Sequence, residues 1–273
     1  MPLIQITILA LVQGITEFLP VSSSGHLVLT WEVFDRLGWQ VVEQAPSDRL
    51  ILDIAVHVGT LLAVCLYFWR DMVEMLVGVA KLAVGKWTPG ARLALFVVAG
   101  TIPLIIAGYL LKDVVSGFLR DGRIVAWTTI GFGILLYMGD RTGMTLRRIE
   151  HMTIGPVLLI GASQILALVP GTSRSGITMT VARFLGFERR EAARFSMLLA
   201  IPAIMGAGTL AGLDIYRTGD LRLGYDAAVA AAISFVFALI AIALMIRWLR
   251  QSTFTAFVIY RVLLGIALLI WFT

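Results

Sequence analysis

The chain has 273 residues, 59% of them hydrophobic and 14% charged, with a formal net charge of +5 and a mean hydropathy of +0.92. That balance excludes a soluble globular fold and identifies an integral membrane protein built of helices. The small positive excess lies in loops, which excludes a nucleic-acid footprint and reads as an orientation signal, and a lone Cys65 in an apolar run excludes disulfides and thiolate metal sites.

Leu3 to Leu19 is apolar but short for a span, and it carries Gln13, Glu17 and then Pro20. It lacks a basic n-region and a small-residue cleavage site, so it reads as a retained part of the fold rather than a signal peptide. Val21-Ser22-Ser23-Ser24-Gly25-His26 leads into a second short apolar helix, Leu27 to Leu37. Two half-length helices joined by a polar turn predict a re-entrant hairpin, tolerated where it is buried in protein or lines a cavity. A polar loop follows over 38–49, and Ile51 to Trp69, Leu93 to Leu111 and Ile124 to Met138 read as three spans. Beyond the basic loop 140–151, Ile154 to Val169 stops at Pro170, which has no N–H to donate. Gly171-Thr172-Ser173-Arg174-Ser175-Gly176 makes a turn in which Ser173 or Ser175 can cap a returning helix, Ile177 to Leu185. Phe195 to Leu213, Ala227 to Ile246 and Phe254 to Phe272 read as three more spans.

Hairpin, three spans, hairpin, three spans is an internal repeat within one membrane domain, 1–139 followed by 152–273. Leu19-Pro20-Val21-Ser22-Ser23 falls where Val169-Pro170-Gly171-Thr172-Ser173 falls in the second half. An odd number of spans per half turns the second repeat over, so the expected fold is an all-helical, inverted-topology repeat of six transmembrane helices plus two re-entrant hairpins. Most of the 22 Lys and Arg lie in segments 70–92, 141–148, 183–194 and 247–250, whereas the opposite side holds Arg36, Arg49, Lys112, Arg120, Arg123, Arg217 and Arg222. That asymmetry places both termini outside, with the hairpin tips entering from opposite faces to meet near the midplane.

Chemistry is expected at that meeting. A guanidinium in an apolar run costs about 2.5 kcal/mol or more to insert, so Arg174 is a functional-site residue by default. Helix N-termini and an arginine fork together make an anion site suited to phosphate. Gln13 and Glu17, four apart, share a helix face beside the first tip. In this positive surrounding Glu17 is expected to pair with Arg174, to bind a divalent cation with Gln13 or Ser23, or to orient His26 as a base or nucleophile. His57 reads as an interior polar contact, His151 as a loop residue, and Arg261 as paired or at an interface.

Gln13-Gly14-Ile15-Thr16-Glu17-Phe18-Leu19-Pro20-Val21-Ser22-Ser23-Ser24-Gly25-His26 resembles the (E/Q)xxxE-FLPVSS-x-GH signature of bacterial undecaprenyl pyrophosphate phosphatases. Pro170 to Thr178 resembles that family's second signature, PG-x-SRSG-x-T, and the likeness covers essentially the whole chain. The resemblance implies an inner-membrane enzyme, open to the periplasm, that removes the terminal phosphate of a long polyprenyl pyrophosphate. The monophosphate would return to cell-wall synthesis, and loss of the pyrophosphate would lower the target of bacitracin. The resemblance further implies Glu17 and His26 as the catalytic pair, with Arg174 binding pyrophosphate. It implies phosphate contacts from Ser23, Ser173, Ser175 and Thr178, with Gln13, Ser22, Ser24, Gly171, Thr172 and Gly176 completing the substrate site. A divalent cation, Mg2+ or Ca2+, is implied as well, and a homodimer is carried as the oligomeric expectation. The first acidic position of the signature is Gln13 here, which leaves Glu17 as the one carboxylate this helix offers a cation.

The pocket and the inverted repeat would equally serve a transporter or scramblase of polyprenyl phosphates, distinguished by lipid flux without phosphate release. An intramembrane serine protease is disfavoured, because peptide hydrolysis needs an oxyanion hole rather than a guanidinium beside the nucleophile.

Overall fold

A computed structural model describes residues 2–39, 46–111, 121–143, 146–218 and 221–272. Lys112, Arg120 and residues 40–45 of the polar loop lie outside the described residues, as does the side chain of Arg217. The regular structure among the described residues is helical, apart from one isolated bridge between Arg147 and Phe187.

Two short helices open the chain, α1 (Leu3–Thr16) and α2 (Ser23–Arg36), each of 14 residues. At 1.5 Å per residue each is about 21 Å long, short of the roughly 30 Å hydrocarbon core. Next come α3 (Pro46–Tyr67), α4 (Trp69–Leu82), α5 (Pro89–Leu110) and α6 (Gly122–Thr142). Thr88 caps α5 by accepting from Ala91 N at 3.1 Å, with Pro89 in the first turn, and Asp121 caps α6 by accepting from Arg123 N at 2.8 Å. The second half holds α7 (Ile154–Ser163), continued as a 3-10 turn over Gln164–Leu168, then α8 (Arg174–Phe184). The chain ends in α9 (Arg189–Thr218), α10 (Leu221–Trp248) and α11 (Thr255–Trp271).

Among the described residues, four stretches are long and apolar enough to cross a membrane: Arg49–Tyr67, Pro89–Leu110, Gly122–Thr142 and Leu221–Trp248. The other two expected spans fall in the 30-residue α9 and the 17-residue α11. The segment after Trp69, read from sequence as a loop, instead forms α4. α3 stops at Tyr67, Phe68 turns the chain, and an amphipathic 14-residue helix packs back on α5.

Interhelical contacts are close where side chains are smallest. A Cβ on Gly59 of α3 would stand 2.1 Å from Ala231 O of α10, and one on Gly161 of α7 would stand 2.5 Å from Gly100 O of α5. In that arrangement α1 lies on α10 and α7 on α5, while α3 meets α9 and α6 meets α11. In lipid, such packing and interhelical hydrogen bonds replace hydrophobic association as the source of cohesion.

Charges gather at the two ends. At one, Arg36 stacks on Trp271, Arg49 pairs with Asp35 at 2.8 Å, and Arg123 Nε donates to Phe272 O. At the other, Asp71 pairs with Arg194, and the buried Asp140 is bound by Arg183 at 3.1 Å and Arg189 at 2.6 Å.

Candidate active site

α1 gives way to the first tip at Glu17, whose N–H still bonds Gln13 O at 3.0 Å. Ser22 then adopts a left-handed φ of 73° and accepts from Gly25 N at 3.4 Å, which starts α2 at Ser23 rather than at Leu27. The second tip repeats this shape. Ser173 has φ 71° and accepts from Gly176 N at 3.1 Å, which starts α8 at Arg174 rather than at Ile177. Both tips also bring serines two apart together, Ser22 with Ser24 at 3.3 Å and Ser173 with Ser175 at 3.1 Å. Ser22 is therefore the partner of Ser173, which corrects by one residue the register read from the prolines. Caps, not prolines, fix where the helices begin.

One side chain ties both tips down. Arg261 of α11 is wholly buried, donating to Pro20 O at 3.3 Å on the first tip and to Gly171 O at 2.8 Å and Thr172 O at 3.0 Å on the second. It also donates to Thr129 O at 3.0 Å. Three of its acceptors are tip carbonyls, of Pro20, Gly171 and Thr172, and two more, Thr128 O and Thr129 O, belong to α6, which gives the expected paired role a definite form. Gly171 sits at φ +91°, where a Cβ would meet Thr128 Oγ1 at 2.1 Å, so the second tip requires glycine there. Ser175 Oγ donates to Leu19 O at 3.0 Å, joining one tip to the other.

Between the tips lies a cavity of about 310 Å³, lined by Glu17, Ser23, Ser24, His57, Ser173 and Arg174 and otherwise by the apolar side chains of Ile54, Leu104, Ala167, Ala203 and Ile204. Glu17 is its electrostatic centre. Oε1 accepts from Arg174 Nη2 at 3.0 Å, and Oε2 accepts from Ser23 Oγ at 2.6 Å and from Gln13 Nε2 at 2.8 Å. The Glu17–Arg174 pairing is the first of the three roles expected for that carboxylate.

Several expected contacts stand elsewhere. The ring of His26 bonds elsewhere than Glu17 and is not in the cavity lining; its Nδ1 bonds Ser22 O at 2.7 Å, and its Nε2 meets Tyr260 OH at 2.6 Å in a stacked pair. The ring thus braces the left-handed turn at Ser22. Thr178 is buried, with its hydroxyl on Arg174 O at 2.9 Å and Ser196 Oγ at 2.7 Å, so it holds Arg174's backbone instead of facing the cavity. Gln13, Ser22, Thr172 and Ser175 are buried as well, and a Cβ on Gly176 would meet Arg261 Nη1 at 2.9 Å, so these five positions and Gly171 shape the tips from behind. His57 moves the other way: read as an interior contact, it lies in the cavity wall with Nε2 3.5 Å from Glu17 Oε2. An ionisable side chain in an apolar span was the signal for it.

A resident cation at Glu17 fits these donors poorly. The carboxylate faces a guanidinium, an amide N–H and a hydroxyl, and the end of Gln13 that meets it is the nitrogen. Among the described residues, no group of three or more His, Cys, Asp or Glu side chains gathers to hold a metal.

Comparison with known proteins agrees in extent with this geometry. The chain is 51% identical over 270 residues to undecaprenyl-diphosphatase 1 of Rhodospirillum rubrum, covering 98% of this chain and 95% of that protein. It is 46% identical over 273 residues to an undecaprenyl-diphosphatase of Roseobacter denitrificans, covering 99% of each. With an undecaprenyl-diphosphatase of Hahella chejuensis it shares 49% over 269 residues, covering 98% and 97%. The family described as bacitracin resistance protein BacA matches residues 6–267, a stretch that takes in both tips, and the chain belongs to this family.

Proposed function

We propose that this chain hydrolyses undecaprenyl diphosphate to the monophosphate and inorganic phosphate, recycling a cell-wall carrier lipid and so conferring bacitracin resistance. One observation carries the reading: a serine hydroxyl, a carboxylate and a guanidinium converge on a cavity whose wall also holds Ser24, His57 and Ser173 and is otherwise apolar. Arg174 and the N-termini of α2 and α8 suit a diphosphate, and the apolar wall suits the first units of its prenyl chain.

Ser23 is the proposed nucleophile, because its hydroxyl is already donated to Glu17 Oε2 at 2.6 Å. As Ser23 Oγ bonds the terminal phosphorus, the bond from that phosphorus to the bridging oxygen breaks and Glu17 takes the serine proton. Glu17 passes that proton to the departing lipid monophosphate. It then takes one from the water that attacks the phosphoserine, and returns it to Ser23 Oγ as phosphate leaves. Arg174 stabilises the charge spread over the transferring phosphoryl oxygens. A divalent cation, Mg2+ or Ca2+, is proposed to arrive chelated by the diphosphate as part of the substrate.

The membrane arrangement proposed is the inverted repeat with two re-entrant hairpins. Its supports are helices α1 and α2, too short to span, and the lie of α1 on α10 and α7 on α5. The end bearing Arg183, Arg189 and Arg194 is assigned to the cytoplasm by its positive charge, which opens the site toward the periplasm. A homodimer is a proposal to be checked by mass in detergent.

The deciding test is phosphate release from a long-chain polyprenyl diphosphate by purified protein in detergent, for wild type, Glu17→Gln, Ser23→Ala and Arg174→Ala. Activity in wild type that falls by about 100-fold or more in each folded variant supports the reading. Lipid binding or flux without phosphate release in wild type moves transport of polyprenyl phosphates to first place.

A further inference from the structure

One ionisable group on the cavity wall has no part in the proposed steps. His57, on α3, shares that wall with Glu17, Ser23 and Arg174, and its side chain is 30% exposed. One end of its ring is fixed: Nδ1 lies 2.6 Å from the backbone carbonyl of Asp53, one helical turn back. A carbonyl only accepts, so Nδ1 carries a hydrogen. The other end, Nε2, faces Glu17 Oε2 at 3.5 Å. On a neutral ring that nitrogen would turn a lone pair on a carboxylate; the contact is attractive when Nε2 also holds a proton and donates toward Glu17. Before substrate arrives such contacts are commonly long, and they tighten when it binds.

We propose that His57 is a positioning residue, holding the Glu17 carboxylate so that Oε2 stays aimed at the Ser23 hydroxyl. Gln13 steadies the carboxylate from its own helix and Arg174 from α8, while His57 adds a hold from α3. Three independent elements then fix one carboxylate, and a swing of about 1 Å in a reacting group can cost on the order of 100-fold in rate. The inference rests on the hydrolysis proposed above and gives an α3 side chain a part in it.

Two amide substitutions separate the ends of the ring. The Asn amide nitrogen falls near the place of Nδ1, so His57→Asn retains the Asp53 bond and loses the reach to Glu17. The Gln amide nitrogen falls near the place of Nε2, so His57→Gln retains the reach and loses the Asp53 bond. Measured on the same lipid diphosphate, His57→Gln is expected to keep kcat within about threefold, whereas His57→Asn loses about 10- to 100-fold in kcat with KM little changed. A purely structural ring predicts the reverse order, because only Asn keeps the intrahelical bond. That reverse order, equal losses, a loss confined to KM, or an unimpaired His57→Asn each overturns the proposal. Thermal unfolding of the purified variants checks that both fold, and should His57→Asn fail to, a kcat loss beyond threefold in His57→Gln overturns it alone. Wild type inactive on the lipid overturns the hydrolysis reading and this role together, whereas active wild type with the reversed order removes the role of His57 only.

Discussion

The two tips share one backbone device and divide the chemistry between them. Ser22 and Ser173 both turn left-handed and both cap the helix that follows. The residue after the cap is Ser23 in the first tip and Arg174 in the second. In the proposed reaction the same local shape therefore presents a nucleophile from one side and a cation from the other, and Glu17 bridges them at 2.6 Å and 3.0 Å. Two copies of one turn can serve a reaction that needs unlike groups because a cap fixes where the next side chain stands without dictating which it is.

The comparison is most severely broken by removing what joins the tips. Arg174→Ala and Glu17→Gln should each lower kcat/KM for lipid diphosphate by about 100-fold or more, and Arg174→Lys should recover only part of it, since an ammonium cannot offer the planar fork. Arg261→Met tests the shared scaffold instead. It strands carbonyls of Pro20, Gly171 and Thr172, each worth about 1–3 kcal/mol if left unsatisfied, and should lower the unfolding temperature in detergent as well as activity.

Finer tests ask how alike the tips are. Ser22→Ala and Ser173→Ala should each cost about 1 kcal/mol or more, since each loses a cap while alanine keeps the left-handed strain; Ser→Gly at either position should recover most of it, read by thermal unfolding. Unequal costs would show that one turn is held mainly by its neighbours. The smallest effect is expected from Tyr260→Phe, which removes the bond to His26 Nε2 and leaves the rings stacked, for a loss of about 1 kcal/mol at the first tip. The second tip carries Ile177 where His26 stands, so no matching substitution there should have this effect.

Much of the site is legible in the sequence because polar residues in apolar runs are conspicuous. Arg174, Glu17 and the serines stand out for that reason, and the cavity gathers Glu17, Ser23, Ser24, Ser173 and Arg174 from within the two motifs. The direction of the His26 ring is not legible there, because nine residues across a turn do not say which way a ring points. That direction is set by Ser22 O nearby and by Tyr260, 234 residues away. His57 was undervalued because nothing local distinguishes a histidine that donates to its own helix from one that also faces a carboxylate on another.

Hydropathy and the two polar breaks determined by themselves that the chain is a helical membrane protein with paired half-length helices before longer ones, since lipid leaves the backbone few ways to satisfy its own hydrogen bonds. The residue types that could handle a phosphate were equally fixed at that level. Tertiary structure alone decided which of them meet. Arg261 draws both tips onto one guanidinium, glycines let α3 and α7 close on α10 and α5, and the resulting cavity admits Ser23, Arg174 and His57 to Glu17 while His26 is turned to α11. Apart from Ser23 with Glu17, six residues apart, those contacts join residues far apart in the chain, where sequence spacing carries no geometric information.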